Sequence, residues 1–268
     1  MKSNIYKIKC ITNMHVGSGE INFNIVDNEV ERDPVTGFPT INSSGLKGAL
    51  RAQYNREEKD NIFGSAENNS GSIKFLAANL LFLAARSGDN KQVYYLATCK
   101  EAIKQYVELN KALGKELNEN LEKELNTLSE DKAYMVKKNN AIQVDRYAYK
   151  EVSDMHEQVG KLILSVGKEI DKIVILPDKD FKKIALPVLA RNQLNDKGIS
   201  QNLWYEEVVP HESIFYFATL TNNDEDAKSF NRWIDNDGKF IQIGGNASIG
   251  YGLTEISRID TSSNTVQK

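Results

Sequence analysis

The sequence predicts an α+β fold with the ferredoxin-like order β-α-β-β-α-β, interrupted in its middle by inserted segments. Three observations predict it. Near the N-terminus a period-2 strand pattern leads through a loop into a helix signal and then back to strand. Near the C-terminus the same grammar returns, strand then helix then strand. Between the two lies a charged, leucine-spaced segment of different composition.

Tyr6, Ile8 and Cys10 alternate with Lys7 and Lys9, the pattern of a half-buried strand. Gly17, Ser18 and Gly19 break it. Residues 21–33 read as irregular or extended, ending at the turn Asp33-Pro34-Val35-Thr36-Gly37. Ser43 and Ser44 offer N-cap oxygens to a helix over about 45–57, in which Leu46, Ala49 and Leu50 form an apolar stripe. A Gly/Ser/Asn-rich loop, 64–72, precedes Ile73-Lys74-Phe75 and the apolar run Leu80–Ala85, both read as strand, and Val93–Thr98 is another.

Residues 100–140 are mostly Lys, Glu, Leu, Asn and Ala. Leu113, Leu117, Leu121 and Leu125 recur every four residues, so the segment reads as a solvated, charged helical insertion. Ile173–Leu176 is a short strand. The β-prone runs Leu186–Leu189 and Leu203–Val209 flank the polar stretch Asn192–Asn202, which contains Gly198, and together they predict a long hairpin. Ile214–Leu220 reads as strand, Asp224–Asp235 as a helix capped by Asn222 or Asn223, and Phe240–Ile243 as a strand entering the glycine-rich run 244–252. The tail 259–268 is polar and reads as frayed.

The chain has 268 residues and 30.2 kDa, with 34 Lys+Arg against 37 Asp+Glu, a formal charge of −3 and a pI near 5.8. Such values exclude a disordered or fibrous chain and give no compositional sign of nucleic-acid binding, so any such function must reside in a local patch. Two cysteines, Cys10 and Cys99, are too few for a disulfide framework or a four-cysteine zinc site. No apolar run approaches the ~20 residues of a membrane span, and the N-terminus carries no signal-peptide core. The expected location is the cytoplasm, with no membrane partner.

Several motifs fail on inspection. Ser44-Gly45-Leu46-Lys47 matches the serine-acylase pattern S-x-x-K, but the companion tripeptides are missing. His15, His156 and His211 have neither a nucleophile elbow nor metal-ligand spacing beside them. Three other features keep a functional reading beside a structural one. The run 244–252, with Gly244, Gly245, Asn246, Gly250 and Gly252, is either a tight turn or a backbone surface lying flat against a phosphate chain. Lys47 and Arg51, one helical turn apart behind Ser43 and Ser44, form either a solvated face or a phosphate cradle at a helix N-terminus. Asp27, after the apolar pair Ile25-Val26, is either a turn residue or a reactive carboxylate.

In combination these segments resemble the RAMP/Cas7 group of CRISPR effector proteins. The blocks are Met14–Gly19, Ile25–Asp33, Thr36–Ile41, Ser43–Arg51, Ile62-Phe63-Gly64, Leu203–Pro210 and Gly244–Gly252, in the expected order over nearly the whole chain. The block containing Trp204 resembles the type III-B backbone subunits in particular, with their type III-A counterparts next. The resemblance implies a ferredoxin-like (RRM-like) RAMP core in a single domain, 1–268, with an inserted helical region at about 100–170 and a β-hairpin thumb at about 185–208. It also implies a backbone subunit that binds crRNA and cleaves complementary target single-stranded RNA at regular intervals. The partners implied are copies of itself stacked head to tail and the other Cmr subunits. Alternatives within the group are a non-catalytic crRNA-binding subunit and a repeat-processing endoribonuclease.

By the same resemblance Asp27 matches the catalytic aspartate, and Lys47 and Arg51 match guide-binding residues. Arg191, Trp204 and Tyr205 fall on the thumb. A lone ionised carboxylate suits positioning of a hydrated divalent metal, Mg²⁺ or Mn²⁺, better than strong general-base work. His15, Glu206 and Glu207 are expected as possible helpers in catalysis. With a net charge of −3, guide affinity requires a focused basic face, and the segment 100–140 is expected to take up the excess acid.

Overall fold

The computed structural model describes residues 1–19, 26–65, 70–89, 91–136 and 141–259. Ile25, most of the 64–72 loop's centre and the tail from 260 onward lie outside the described residues. The first part of the chain forms β1 (Lys2–Cys10), β2 (Thr40–Ile41), α1 (Ser43–Gln53), α2 (Lys59–Phe63), β3 (Ile73–Phe75), β4 (Ala78–Arg86) and β5 (Tyr94–Cys99). The middle forms α3 (Lys100–Ala112), α4 (Leu121–Thr127), β6 (Ala133–Met135), β7 (Ile142–Val144), β8 (Tyr147–Tyr149), β9 (Val152–Asp154), α5 (Glu157–Gly167), β10 (Ile173–Leu176) and α6 (Asp178–Phe181). Then come β11 (Val188–Leu194), β12 (Ser200–Glu207), β13 (Ile214–Thr221), α7 (Asp224–Asn236), β14 (Phe240–Gln242) and β15 (Leu253–Arg258).

The core follows the predicted order as β1-α1-β4-β13-α7-β15. Its strands lie side by side as β15-β1-β13-β4, antiparallel at every step. Strand period 2 sends alternate side chains to opposite faces. Phe215 and Phe217 of β13 join one apolar cluster with Tyr6, Ile8, Leu46, Leu50, Phe230 and Trp233, under α1 and α7. Ile214, Tyr216 and Ala218 join a second cluster with Ile103, Leu121, Leu125, Val159 and Ile163, under α3, α4 and α5. Asn223, one of the two predicted caps, accepts from the backbone N–H groups of Glu225 and Asp226 and so starts α7.

Four sequence expectations change. The 100–170 region is mixed rather than helical: β6 to β9 lie within it, and β5, β10, β6 and β9 extend the core sheet. Its leucine ladder breaks at Gly114, which has φ +68°, so that Leu121 and Leu125 lie on a separate helix and are buried. The region covers the second face of the sheet, which is why it is no solvated helix. Nor is it an acid sink, since 100–140 holds eight acids against eight lysines. The first helix ends at Gln53 rather than near 57. Asn42 is its N-cap, without a side-chain cap bond, so Ser43 and Ser44 sit in the first turn with both residues exposed.

The hairpin appears where expected. β11 and β12 pair from Val188↔Glu207 to Leu194↔Ser200 and form a two-stranded sheet of their own. Asn195 Oδ1 accepts from the N–H groups of Lys197 and Ile199, and Gly198 supplies φ +75°, which closes the turn. No helix among the described residues is long and apolar enough to cross a membrane.

Candidate functional site

The segment around Asp27 lies along the root of the hairpin, with Asn28 bridging Glu206 in parallel. The backbone N–H groups of Asp27 and Asn28 both donate to the Tyr205 carbonyl at 3.1 Å, and the Glu207 N–H donates to the Asn28 carbonyl at 2.9 Å. The Tyr205 N–H in turn donates to Asp27 Oδ2 at 2.7 Å. Asp27 stays exposed. Its carboxylate is therefore held at one oxygen by the hairpin backbone while the residue remains open to a large ligand.

His15 enters from the other side. It follows Met14, which pairs with Val209 just past β12. Its Nδ1 lies 2.7 Å from the Glu207 carbonyl, which can only accept, so Nδ1 carries the proton. The opposite nitrogen, Nε2, then faces Glu206 Oε1 at 3.9 Å. His15 is only 8% exposed, which leaves little of it for substrate.

The two thumb glutamates expected as helpers are both buried, Glu206 at 4% and Glu207 at 9% exposure. Glu207 is a clamp: Arg32 Nη2 lies 2.6 Å from its Oε1, and the Val30 N–H donates to its Oε2 at 3.1 Å. Glu206 Oε1 accepts from Asn246 Nδ2 at 2.7 Å. Its Oε2 is buried without a hydrogen bond and faces Arg191 Nη1 at 3.8 Å. The Arg191 guanidinium lies 5.9 Å from the half-buried Trp204 ring and 5.2 Å from the Tyr251 ring, so these aromatics steady the root of the hairpin. Tyr205, in contrast, is 41% exposed beside Asp27.

The glycine run divides by role. A Cβ on Gly244 would meet the His15 carbonyl oxygen at 2.2 Å, and one on Gly252 would meet the Ile243 carbonyl oxygen at 2.0 Å. Both glycines have positive φ, and both are required by the fold. The Gly245 N–H donates to the His15 carbonyl at 2.9 Å. Gly250 meets open space. Asn246, at φ +61°, uses the left-handed region that Asn tolerates to aim its amide at Glu206.

Helix α1 is tied to the site at both ends. At its start, Asn42 Nδ2 donates to Glu31 Oε1 at 2.9 Å, on the segment that carries Asp27. At its end, Gln53 and Gln242 exchange two hydrogen bonds of 2.9 and 3.0 Å, and Gln242 Nε2 donates to the Gly244 carbonyl. Lys47 on this helix is half-buried. Arg51 is paired with Asp60 of α2 at 2.7 Å, so an anion binding there competes with an exposed carboxylate. Sequence reasoning missed Asp60, Arg32 and Tyr251. Of these only Tyr251, set between Gly250 and Gly252, carried a local signal.

No three His, Cys, Asp or Glu residues gather into a metal-ligand set among the described residues. One exposed carboxylate fits the way Mg²⁺ is commonly held, by one or two carboxylates together with substrate phosphates.

A family model described as the RAMP superfamily matches residues 7–255. The chain is 27% identical over 296 residues, 98% of each chain, to a Pyrococcus furiosus protein named CRISPR system Cmr endoribonuclease Cmr4. It is similar in fold to a chain of the type III-B Cmr-beta complex bound to cognate target RNA, with a TM-score of 0.79, 22% identity and coverage of 97% of this chain and 98% of that one. It is also similar to oligomeric Cmr4 from Pyrococcus furiosus, with a TM-score of 0.70, 23% identity and the same coverages.

Proposed function

Since this chain belongs to the RAMP superfamily, whose model spans nearly its whole length, we propose that it is the crRNA-binding backbone subunit of a type III CRISPR effector and cuts the paired target RNA. The observation that carries this reading is the carboxylate of Asp27, exposed and held at 2.7 Å by the Tyr205 N–H at the root of a projecting hairpin.

RNA is cut when its 2′-oxygen attacks the adjacent phosphorus in line with the departing 5′-oxygen, and A-form pairing holds the strand away from that geometry. A β-hairpin wedged into the duplex displaces a nucleotide and frees its backbone. Leu194, Ile199 and Leu203 on the hairpin are each more than half exposed, and they suit apolar wedging between bases. Asp27, at the hairpin's root, then lies beside the released phosphodiester. A bound Mg²⁺ or Mn²⁺, held by Asp27 and the RNA phosphate, would offset negative charge on the phosphorane. Lys47, with the exposed Ser43 and Ser44, holds guide phosphates at the start of α1, Arg51 reaches them from its last turn, and Gly245 and Gly250 allow close backbone approach. Copies stack head to tail along the guide with the other Cmr subunits, in the cytoplasm.

The test is target-RNA cleavage by guide-loaded complexes carrying wild-type protein or Asp27→Ala, with and without EDTA. The expected result is regular cuts by the wild type, none by Asp27→Ala, and loss of wild-type cutting in EDTA. Unchanged cutting by Asp27→Ala would falsify the assignment of Asp27 and leave a guide-holding role.

A further inference from the structure

Glu206 is an acid one residue from the amide that holds Asp27, and a general acid or base would be the obvious role for it. Its surroundings argue otherwise. It is 4% exposed, so substrate does not reach it. Its Oε1 is taken by Asn246 at 2.7 Å, and its Oε2 is enclosed opposite Arg191 at 3.8 Å. His15 Nε2 adds a third polar neighbour at 3.9 Å. Asn246 comes from the glycine loop and Arg191 from the opposite hairpin strand, while His15, protonated at Nδ1, has no proton at Nε2 to donate. Through Asn246 the Glu206 side chain is thus one of the points, with the Glu207–Arg32 clamp, at which the hairpin root is fastened to the body of the molecule.

We propose that Glu206 is a positioning residue: by fastening β12 to Asn246 it sets where the Tyr205 N–H points, and through that amide it aims the Asp27 carboxylate. Residues 205 and 206 are adjacent on one strand, so a shift of the strand backbone at Glu206 carries the Tyr205 N–H with it. A carboxylate displaced by about 1 Å at a reacting centre loses about 100-fold in rate while the ligand is still held by the rest of the surface. The inference rests on Asp27 being the cutting residue.

The experiment uses guide-loaded complexes containing Asp27→Ala, Glu206→Ala, Glu206→Gln or Asn246→Ala, with single-turnover cleavage and target affinity measured across pH. Glu206→Ala should slow cleavage about 100-fold at unchanged target affinity. Glu206→Gln keeps an acceptor for the Asn246 amide and should recover to within about tenfold of wild type, with the wild-type pH profile. Asn246→Ala removes the amide at the cost of a left-handed alanine, about 1–2 kcal/mol, and tests the same link if Glu206→Ala does not fold. It should slow cleavage, again without loss of affinity. A Glu206→Gln complex as slow as Glu206→Ala, or one missing a limb of the pH profile, makes Glu206 a proton-transfer group and overturns the proposal. So does wild-type cleavage by Asn246→Ala. If Asp27→Ala itself still cuts, the underlying function falls first; if Asp27→Ala is inactive while Glu206→Ala cuts normally, only the positioning role falls.

Discussion

Gly244 and Gly250 have nearly the same backbone angle, φ +86° and +85°, but different neighbours. At Gly244 an added methyl would drive into the His15 carbonyl at 2.2 Å, while at Gly250 nothing lies within 4 Å. Gly250→Ala should therefore cost only the left-handed strain, about 1–2 kcal/mol. Gly244→Ala adds a backbone clash that must open the loop where His15 and Asn246 meet the hairpin root. Thermal unfolding of the two variants should separate them, with Gly244→Ala clearly the less stable, and equal melting temperatures would contradict the assignment. The sequence displayed this glycine cluster but not the division of labour within it, because the opposing carbonyl comes from residue 15. The same holds for the acids. Asp27, Glu206 and Glu207 were all visible as carboxylates, yet which one stays exposed depends on a pairing between positions separated by 178 residues.

Among the elements, the hairpin was legible because two β-prone runs flank a polar turn with Gly198, a purely local signal. The middle region was misread for a non-local reason. Its Lys, Glu and Leu content fits a solvated helix, and only the sheet it covers shows otherwise. The clue lay in the strands: Leu80–Ala85 and Ile214–Ala218 are apolar without alternation, as strands buried on both faces are. Since β11 and β12 form their own sheet with an exposed tip, replacing residues 193–202 by Asn-Gly should leave the fold intact. The melting temperature should move by no more than about 2 °C, and guide binding should persist. Target cleavage should be lost or lose its regular spacing on a denaturing gel. A sharply lowered melting temperature would instead make the tip part of the core.

For the molecule as a whole, a net charge of −3 means that overall attraction cannot hold a guide strand, and affinity must come from a few placed cations. Each phosphate contact releases counterions and adds about 0.9 to the slope of log affinity against log salt on a duplex, and about 0.7 on a single strand. Lys47→Ala should therefore weaken guide binding and lower that slope by about 0.7, and a slope equal to wild type would remove Lys47 from the interface.

The sheet that carries all this runs without a break from β14 across the ferredoxin-like core to β9 in the inserted region. Core and insertion share ladder hydrogen bonds, so neither swings against the other on a hinge. A row of such bodies along a strand behaves as a ruler rather than a spring, and the distance from one mark to the next is set by the thickness of a single rigid unit.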